Sequence, residues 1–270
     1  MKTLKQYILL ILALPILASC QKVIDLDLGN DTGKLVIEAN FTNVIGTQTV
    51  KITRNVPFTQ TNTYPPVKGA KVVMTNAIGD TRTFTETADG VYTANIGGLV
   101  RETYKLTVET DSKVYTASSH IPDQVFLDSI TTRPAIFDAD KGKKTLSVHY
   151  LDPGNLVNQY RFIIWKNNVQ VKTVYAYNDD FNNGRYVSLD LRVRDDADDD
   201  FGIYAGDTVK VEMQCIDKPV YLYWYTLMRQ SSNGPGGGVS PADPPTNFSP
   251  TALGYFSAHT TQSKTIVVKP

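Results

Sequence analysis

Short runs in which apolar and polar residues alternate, each closed by a turn, recur from Leu35 to Val268, and this period of two constrains the chain more than anything else in it. Alternation over four to eight residues turns one face of a strand toward a core and the other toward water. Leu35-Val36-Ile37-Glu38-Ala39-Asn40-Phe41 opens the series, and Val50 and Ile52 alternate with Lys51 and Thr53. After a loop with Pro57, Pro65 and Pro66, Val72-Val73-Met74 reads as a strand and Ala77-Ile78-Gly79-Asp80 as a hairpin signal. Phe84, Tyr92 and Ile96 continue the pattern. Tyr104, Leu106 and Val108 alternate with Lys105 and Thr107, and Lys113 to Ser118 is expected to pair with them across Thr110-Asp111-Ser112. Many short strands at this spacing predict an all-β sandwich.

Pro122 lacks the donor that would continue a ladder, so Ile121-Pro122-Asp123 is read as a domain boundary. A second β domain then starts at Val125-Phe126-Leu127, with strands expected over 145–151, 159–166, 169–177, 186–193 and 207–215 and two closing strands over 254–259 and 265–268. Asp152-Pro153-Gly154-Asn155 and Lys166-Asn167-Asn168 are its turns, and Trp165 is expected inside. The fold class is therefore all-β: two immunoglobulin-like or fibronectin-like sandwiches in tandem, residues 34–121 and 122–270, with one short helix near the C-terminus. That helix is placed at 219–230, since Asp217 offers a cap and Pro219 an early helical proline. Tyr221, Trp224, Tyr225 and Met228 follow at i, i+3, i+4 and i+7, either as the buried face of the helix or as an aromatic ligand platform. Residues 231–250, rich in Gly and Pro, form a long loop with fixed ends, a place where binding function tends to live, though a passive connection is equally consistent. The candidate contact surface is that loop with the exposed part of the helix: Tyr221, Tyr223, Tyr225, Asn233 and Phe248.

The N-terminus carries an address. Lys2 and Lys5 precede an apolar run from Tyr7 to Leu17, too short to span a bilayer and the right length for a signal-peptide core. Leu17-Ala18-Ser19-Cys20 then resembles the lipobox of bacterial lipoproteins, which implies removal of residues 1–19 and lipidation of Cys20; an ordinary secretory signal is the plainer alternative. Residues 20–33 become anchor and tether. Cleavage leaves 25 basic against 27 acidic residues, and so nearly neutral a chain has no electrostatic footprint for nucleic acid. With Cys20 lipidated, Cys215 has no disulfide partner. It shares a strand face with Val209, Val211 and Met213 and is read as a buried, inert thiol rather than a reactive one.

Catalytic patterns are scarce. The three histidines, His120, His149 and His259, lie on separate segments, and neither Gly-x-Ser-x-Gly nor Cys-x-x-Cys occurs. Gly236-Gly237-Gly238 lacks the helix and lysine of a phosphate loop. No enzyme and no cofactor are expected. Asp196, Asp198, Asp200 and Asp207 fall at positions 1, 3, 5 and 12 of a calcium-loop count, but Phe201 stands where glycine is needed, and a solvated acidic loop explains them as well.

Gly90-Val91-Tyr92 followed by Tyr104-Lys105-Leu106 resembles a transthyretin-like or carboxypeptidase-regulatory sandwich. More broadly, Cys20-Gln21-Lys22-Val23-Ile24-Asp25, Leu35-Val36-Ile37-Glu38-Ala39, Gly69-Ala70-Lys71-Val72, Leu127-Asp128-Ser129-Ile130 and Ala252-Leu253-Gly254-Tyr255-Phe256-Ser257-Ala258 come in an order that resembles an uncharacterised lipoprotein family of Bacteroidota, a domain of unknown function. Gln21 departs from it where an acidic residue is usual, as does Asn40 where glycine is frequent. The resemblance implies an outer-membrane lipoprotein, monomeric apart from a TonB-dependent receptor that it assists in nutrient uptake. An independent adhesion or glycan-binding lipoprotein is the alternative.

Overall fold

In the computed structural model, residues 32–57, 63–136, 141–193, 201–231 and 243–270 are described. The signal peptide, Cys20, most of the tether, Asn233, and Asp196, Asp198 and Asp200 lie outside them.

Seven strands build the first half: β1 (Leu35–Thr42), β2 (Gly46–Arg54), β3 (Lys71–Thr75), β4 (Thr81–Ala88), β5 (Val91–Ile96), β6 (Thr103–Thr110) and β7 (Lys113–His120). The expected alternation holds. Leu35, Ile37, Ala39 and Phe41 of β1 point inward, and Tyr104, Leu106 and Val108 of β6 meet them across the core. One layer runs β1-β2-β5, the other β3-β6-β7; β4 pairs with both β5 and β3 and so closes the sandwich along one side. Asp111 and Ser112 both take positive φ in the two-residue turn between β6 and β7, the geometry that matches strand twist.

The β4–β5 turn is held by one carboxylate. Gly90 sits at φ +68°, where a Cβ would come within 2.6 Å of the Ile52 carbonyl oxygen. Glu86 accepts the backbone N–H of both Gly90 (3.0 Å) and Gly69 (2.9 Å). These bonds favour the ionised form and hold the Glu86 pKa below its ordinary value of 4.5. A depressed folded-state pKa stabilises above the unfolded value and stops doing so as pH falls through the folded one. Glu86→Gln is therefore expected to lower the thermal midpoint at neutral pH, with the gap from wild type closing as the pH drops below 4.5. A gap that stays constant across that range would remove the assignment.

The second half contains β8 (Leu127–Pro134), β9 (Lys144–Leu151), β10 (Gln159–Lys166), β11 (Val169–Gln170), β12 (Tyr175–Asn178), β13 (Tyr186–Leu191) and β14 (Thr208–Cys215). The order β13-β9-β8 forms one layer. Facing it, β10 pairs with β14 on one side and with the short β11 and β12 on the other. Leu146, Val148 and Tyr150 from the first layer pack on Phe162, Ile164, Val211 and Met213 from the second. Cys215 is buried as its strand face requires, accepts the Val125 N–H at 3.3 Å, and has its thiol pKa raised by burial.

Three expectations are corrected. The single strand expected over 169–177 is two short ones, β11 and β12. Trp165 is only half-buried, beneath the Lys210 ammonium at 3.9 Å, because Tyr160, Phe162 and Ile164 take the inward parity of β10 and leave Trp165 on the other face.

The third correction concerns the C-terminal region. After helix α1 (Lys218–Ser231) and the short β15 (Phe248–Ser249), what the alternation suggests as two closing strands is one 15-residue strand, β16 (Leu253–Val267). Leu253 to His259 run parallel to β1, and Thr260 to Val267 run antiparallel to β14. The two sandwiches thus share a strand. The boundary at residue 122 separates the two cores, but residues 248–259 do not stay with the second: Phe248, Ala252, Phe256 and Ala258 are buried in the first. The open edge of β1 is what they satisfy, and a parallel partner must arrive by a long crossover.

Candidate functional site

Helix α1 begins where Asp217 caps it. Its Oδ1 accepts the Val220 N–H at 3.2 Å, and its Oδ2 accepts from the Ser119 hydroxyl (2.8 Å) and the His120 N–H (2.9 Å) of β7. Ser119 Oγ in turn accepts the Ala258 N–H at 2.9 Å. One carboxylate therefore ties the helix to the first sandwich. The aromatic stripe lies against protein. Tyr221 is 8% exposed and stacks on Tyr225 at 5.3 Å. Tyr223 and Trp224 pack on Tyr255 at 4.9 and 5.0 Å, and Met228 Sδ accepts the Ala176 N–H. The Arg161 guanidinium stacks 3.5 Å from the Trp224 ring centroid.

Of the candidate contact residues, Tyr221 and Tyr223 therefore bracket the two sandwiches rather than face a ligand. Tyr225 is half-buried and accepts from Arg229 at 3.2 Å. Phe248, 5% exposed, is a core residue of the first sandwich. Asn233 lies outside the described residues. An aromatic helix next to bare strand edges buries its stripe because each ring removes a large apolar area from water.

The histidines do not meet. His120 bonds Thr103 Oγ1 at 3.2 Å and His149 bonds Thr131 Oγ1 at 2.7 Å. His259 is wholly buried in β16; burial, with Arg161 nearby, pushes its pKa down to about 3, so it is neutral. Asp207, the described member of the calcium-loop candidates, is committed to its own turn. Burial would raise its pKa, but the Tyr204 N–H (2.8 Å), Asn167 Nδ2 (2.8 Å) and Lys166 Nζ (3.4 Å) bring it below the ordinary value. Among the described residues, no group of three or more His, Cys, Asp or Glu side chains is arranged to hold a metal.

A concavity with mixed chemistry lies elsewhere, at the end of the first sandwich where the chain enters it. A cleft of about 520 Å³ opens beside Gly33, Lys34 and Leu35. Its floor is apolar, from Leu35, Tyr115 and Ala252. Its rim carries Arg54, Asp111 and Lys113 on one side and the segment Asp243-Pro244-Pro245 on the other. Arg54 organises the rim: it pairs with Asp111 and donates to the Gly33 carbonyl at 2.8 Å. An apolar floor with a few fixed charges suits a small ligand or an inserted side chain. The far limb of the 231–250 loop reaches this cleft, so that part of the expected contact surface has a concave neighbour. No motif marks the site, because its residues come from four separated stretches.

Solved structures with fibronectin and other β architectures resemble the chain at low identity. A two-fibronectin-type-III-domain segment from chicken tenascin is 12% identical over 68% of this chain and 91% of that one, with a TM-score of 0.21. The BSP domain of a biofilm associated protein is 12% identical over 88% and 29%, with a TM-score of 0.23. A DUF4785 family protein from Legionella pneumophila is 10% identical over 67% and 51%, with a TM-score of 0.24. A search of the curated proteins found no match. The family model described as a domain of unknown function (DUF4249) matches residues 21–265, and the chain belongs to that family.

Proposed function

We propose that the protein is a non-catalytic outer-membrane lipoprotein of a Bacteroidota-type envelope, anchored through Cys20, that docks on a TonB-dependent receptor and assists its nutrient uptake. The observation that carries this reading is where the cleft lies: at Gly33–Leu35, the point at which the tether joins the globular body. Thirteen residue steps from Cys20 to Gly33 reach at most roughly 45 Å when extended. A partner in the same membrane therefore meets this end of the protein first. The alternative, an independent adhesion or glycan-binding lipoprotein, needs well-exposed aromatics, and those of α1 are buried or half-buried against protein.

The test is affinity capture from native membranes in mild detergent, with the eluate identified by mass spectrometry. Wild type is expected to bring down a TonB-dependent receptor in stoichiometric amount, and Cys20→Ala to appear in soluble fractions. A cleft variant, Lys113→Glu with Thr251→Trp, alters two exposed rim positions, and is expected to stay folded and membrane-bound while capturing at least tenfold less receptor. Capture of carbohydrate and no receptor would favour the alternative. Undiminished capture by the cleft variant would remove the cleft from the interface.

A further inference from the structure

At the end of the second sandwich, two loops stack on each other, residues 152–158 and 179–185. Their backbones approach closely at two glycines: a Cβ on Gly154 would lie 3.2 Å from the Gly184 Cα. The Asp152 N–H donates to the Arg185 carbonyl at 2.9 Å, and the Asn158 N–H donates to Asp179 Oδ2 at 2.8 Å. Three polar side chains are thereby enclosed: Asp152 is 1% exposed, Asp179 3% and Asn158 4%.

Their bonding is incomplete. Asp152 Oδ1 accepts from the Tyr160 hydroxyl and the Gly184 backbone N–H also acts on this carboxyl, yet Asp152 Oδ2 and Asn158 Oδ1 make no hydrogen bond of ordinary geometry. A buried oxygen with no donor costs about 1–3 kcal/mol, more when charged. Charge makes this worse, because Asp179 repels Asp152. Burial first, and then this repulsion, push the Asp152 pKa up against the opposing hydrogen bonds from Tyr160 and Gly184. Two enclosed carboxylates and an amide oxygen, two of whose oxygens make no hydrogen bond, form a buried oxygen-rich acceptor set.

We propose that Asp152, Asn158 and Asp179 bind a hard divalent cation, calcium by preference, clamping the 152–158 and 179–185 loops together. The donors are all oxygen, which excludes the softer metals that seek nitrogen or sulfur. They come from irregular loops, a setting that suits the variable coordination of calcium better than the strict octahedron of magnesium. Two carboxylates neutralise the ion. This site is distinct from the Asp196–Asp207 count and independent of any receptor partnership.

The experiment uses the full chain purified in detergent, stripped with EDTA and dialysed, then titrated with calcium chloride by calorimetry and followed by thermal unfolding. One calcium per chain is expected, with half-saturation at or below about 10⁻⁴–10⁻³ M, and a melting midpoint that rises with calcium. Asp152→Asn should weaken binding by roughly tenfold or more and flatten the rise, while Asn158→Asp, which adds a ligand charge, should tighten it. Magnesium at the same concentrations should shift the midpoint less. A folded wild type that gives no calorimetric heat and melts alike in EDTA and calcium would overturn the proposal. So would calcium binding left unchanged in Asp152→Asn, since the ion would then sit elsewhere.

Discussion

Replacing Gly254 with alanine is expected to destabilise the protein by roughly 3–5 kcal/mol, a large share of the ~5–15 kcal/mol that holds an ordinary protein folded. Gly254 sits at φ +92°, in a strand where every other residue carries a side chain. An added Cβ would overlap the Ile37 carbonyl, whose carbon lies 2.8 Å from the Cβ position. Ile37 is also the residue paired with Gly254 in the parallel ladder, so the clash falls on the backbone that joins β1 to β16. Relief requires moving one strand away from the other, and both are buried. Gly46→Ala is the control: it meets nothing within 4 Å and is not in the left-handed region, so it should change stability little or raise it slightly. Urea unfolding followed by tryptophan fluorescence reads both. A Gly254→Ala midpoint indistinguishable from that of Gly46→Ala would defeat the argument.

Asp217→Ala should be the second large loss, about 2–4 kcal/mol. The cap alone is worth roughly 1 kcal/mol. The remainder comes from leaving the Ser119 hydroxyl and the His120 N–H without an acceptor in a part-buried setting. Asp217→Asn keeps an oxygen for the Val220 N–H and should recover part of the loss. Because Trp224 lies in the tied helix, its fluorescence should change at lower denaturant in Asp217→Ala than in wild type. If the alanine variant unfolds at the wild-type midpoint, the carboxylate does not hold helix to sandwich.

Much of this architecture was legible as sequence. The parity of Leu35, Ile37, Ala39 and Phe41, and of Val209, Val211, Met213 and Cys215, reads directly as an inward face, and both strands form as expected. Asp217, Pro219 and the aromatic stripe locate the helix to within one residue at either end. What alternation does not carry is the identity of the neighbouring strand. Gly254 to His259 is a legible strand, but that it joins β1, more than 200 residues earlier, has no local trace. Trp165 could have been placed outward by the parity of its own strand, where size alone suggested the core. Asp152-Pro153-Gly154-Asn155 reads as an ordinary exposed turn; Asp152 is enclosed only because a second loop, met far along the chain, lies over it. The cleft was illegible for the same reason, being assembled from stretches that share no motif.

The shared strand also sets an order of events during synthesis. A ribosome delivers β1 early, and β2 through β7 can follow it into place as they emerge. The layer still lacks its parallel strand, so the edge of β1 stays exposed until residues 253–259 have been made. Closing that gap joins positions more than 200 residues apart, which makes it a high-contact-order, entropically costly step. The second sandwich waits on the same segment, since β14 takes its partner from residues 260–267. Neither half is finished before the other, and a nascent chain of this kind stays open, available to chaperone or translocation machinery, for nearly the whole time of its elongation.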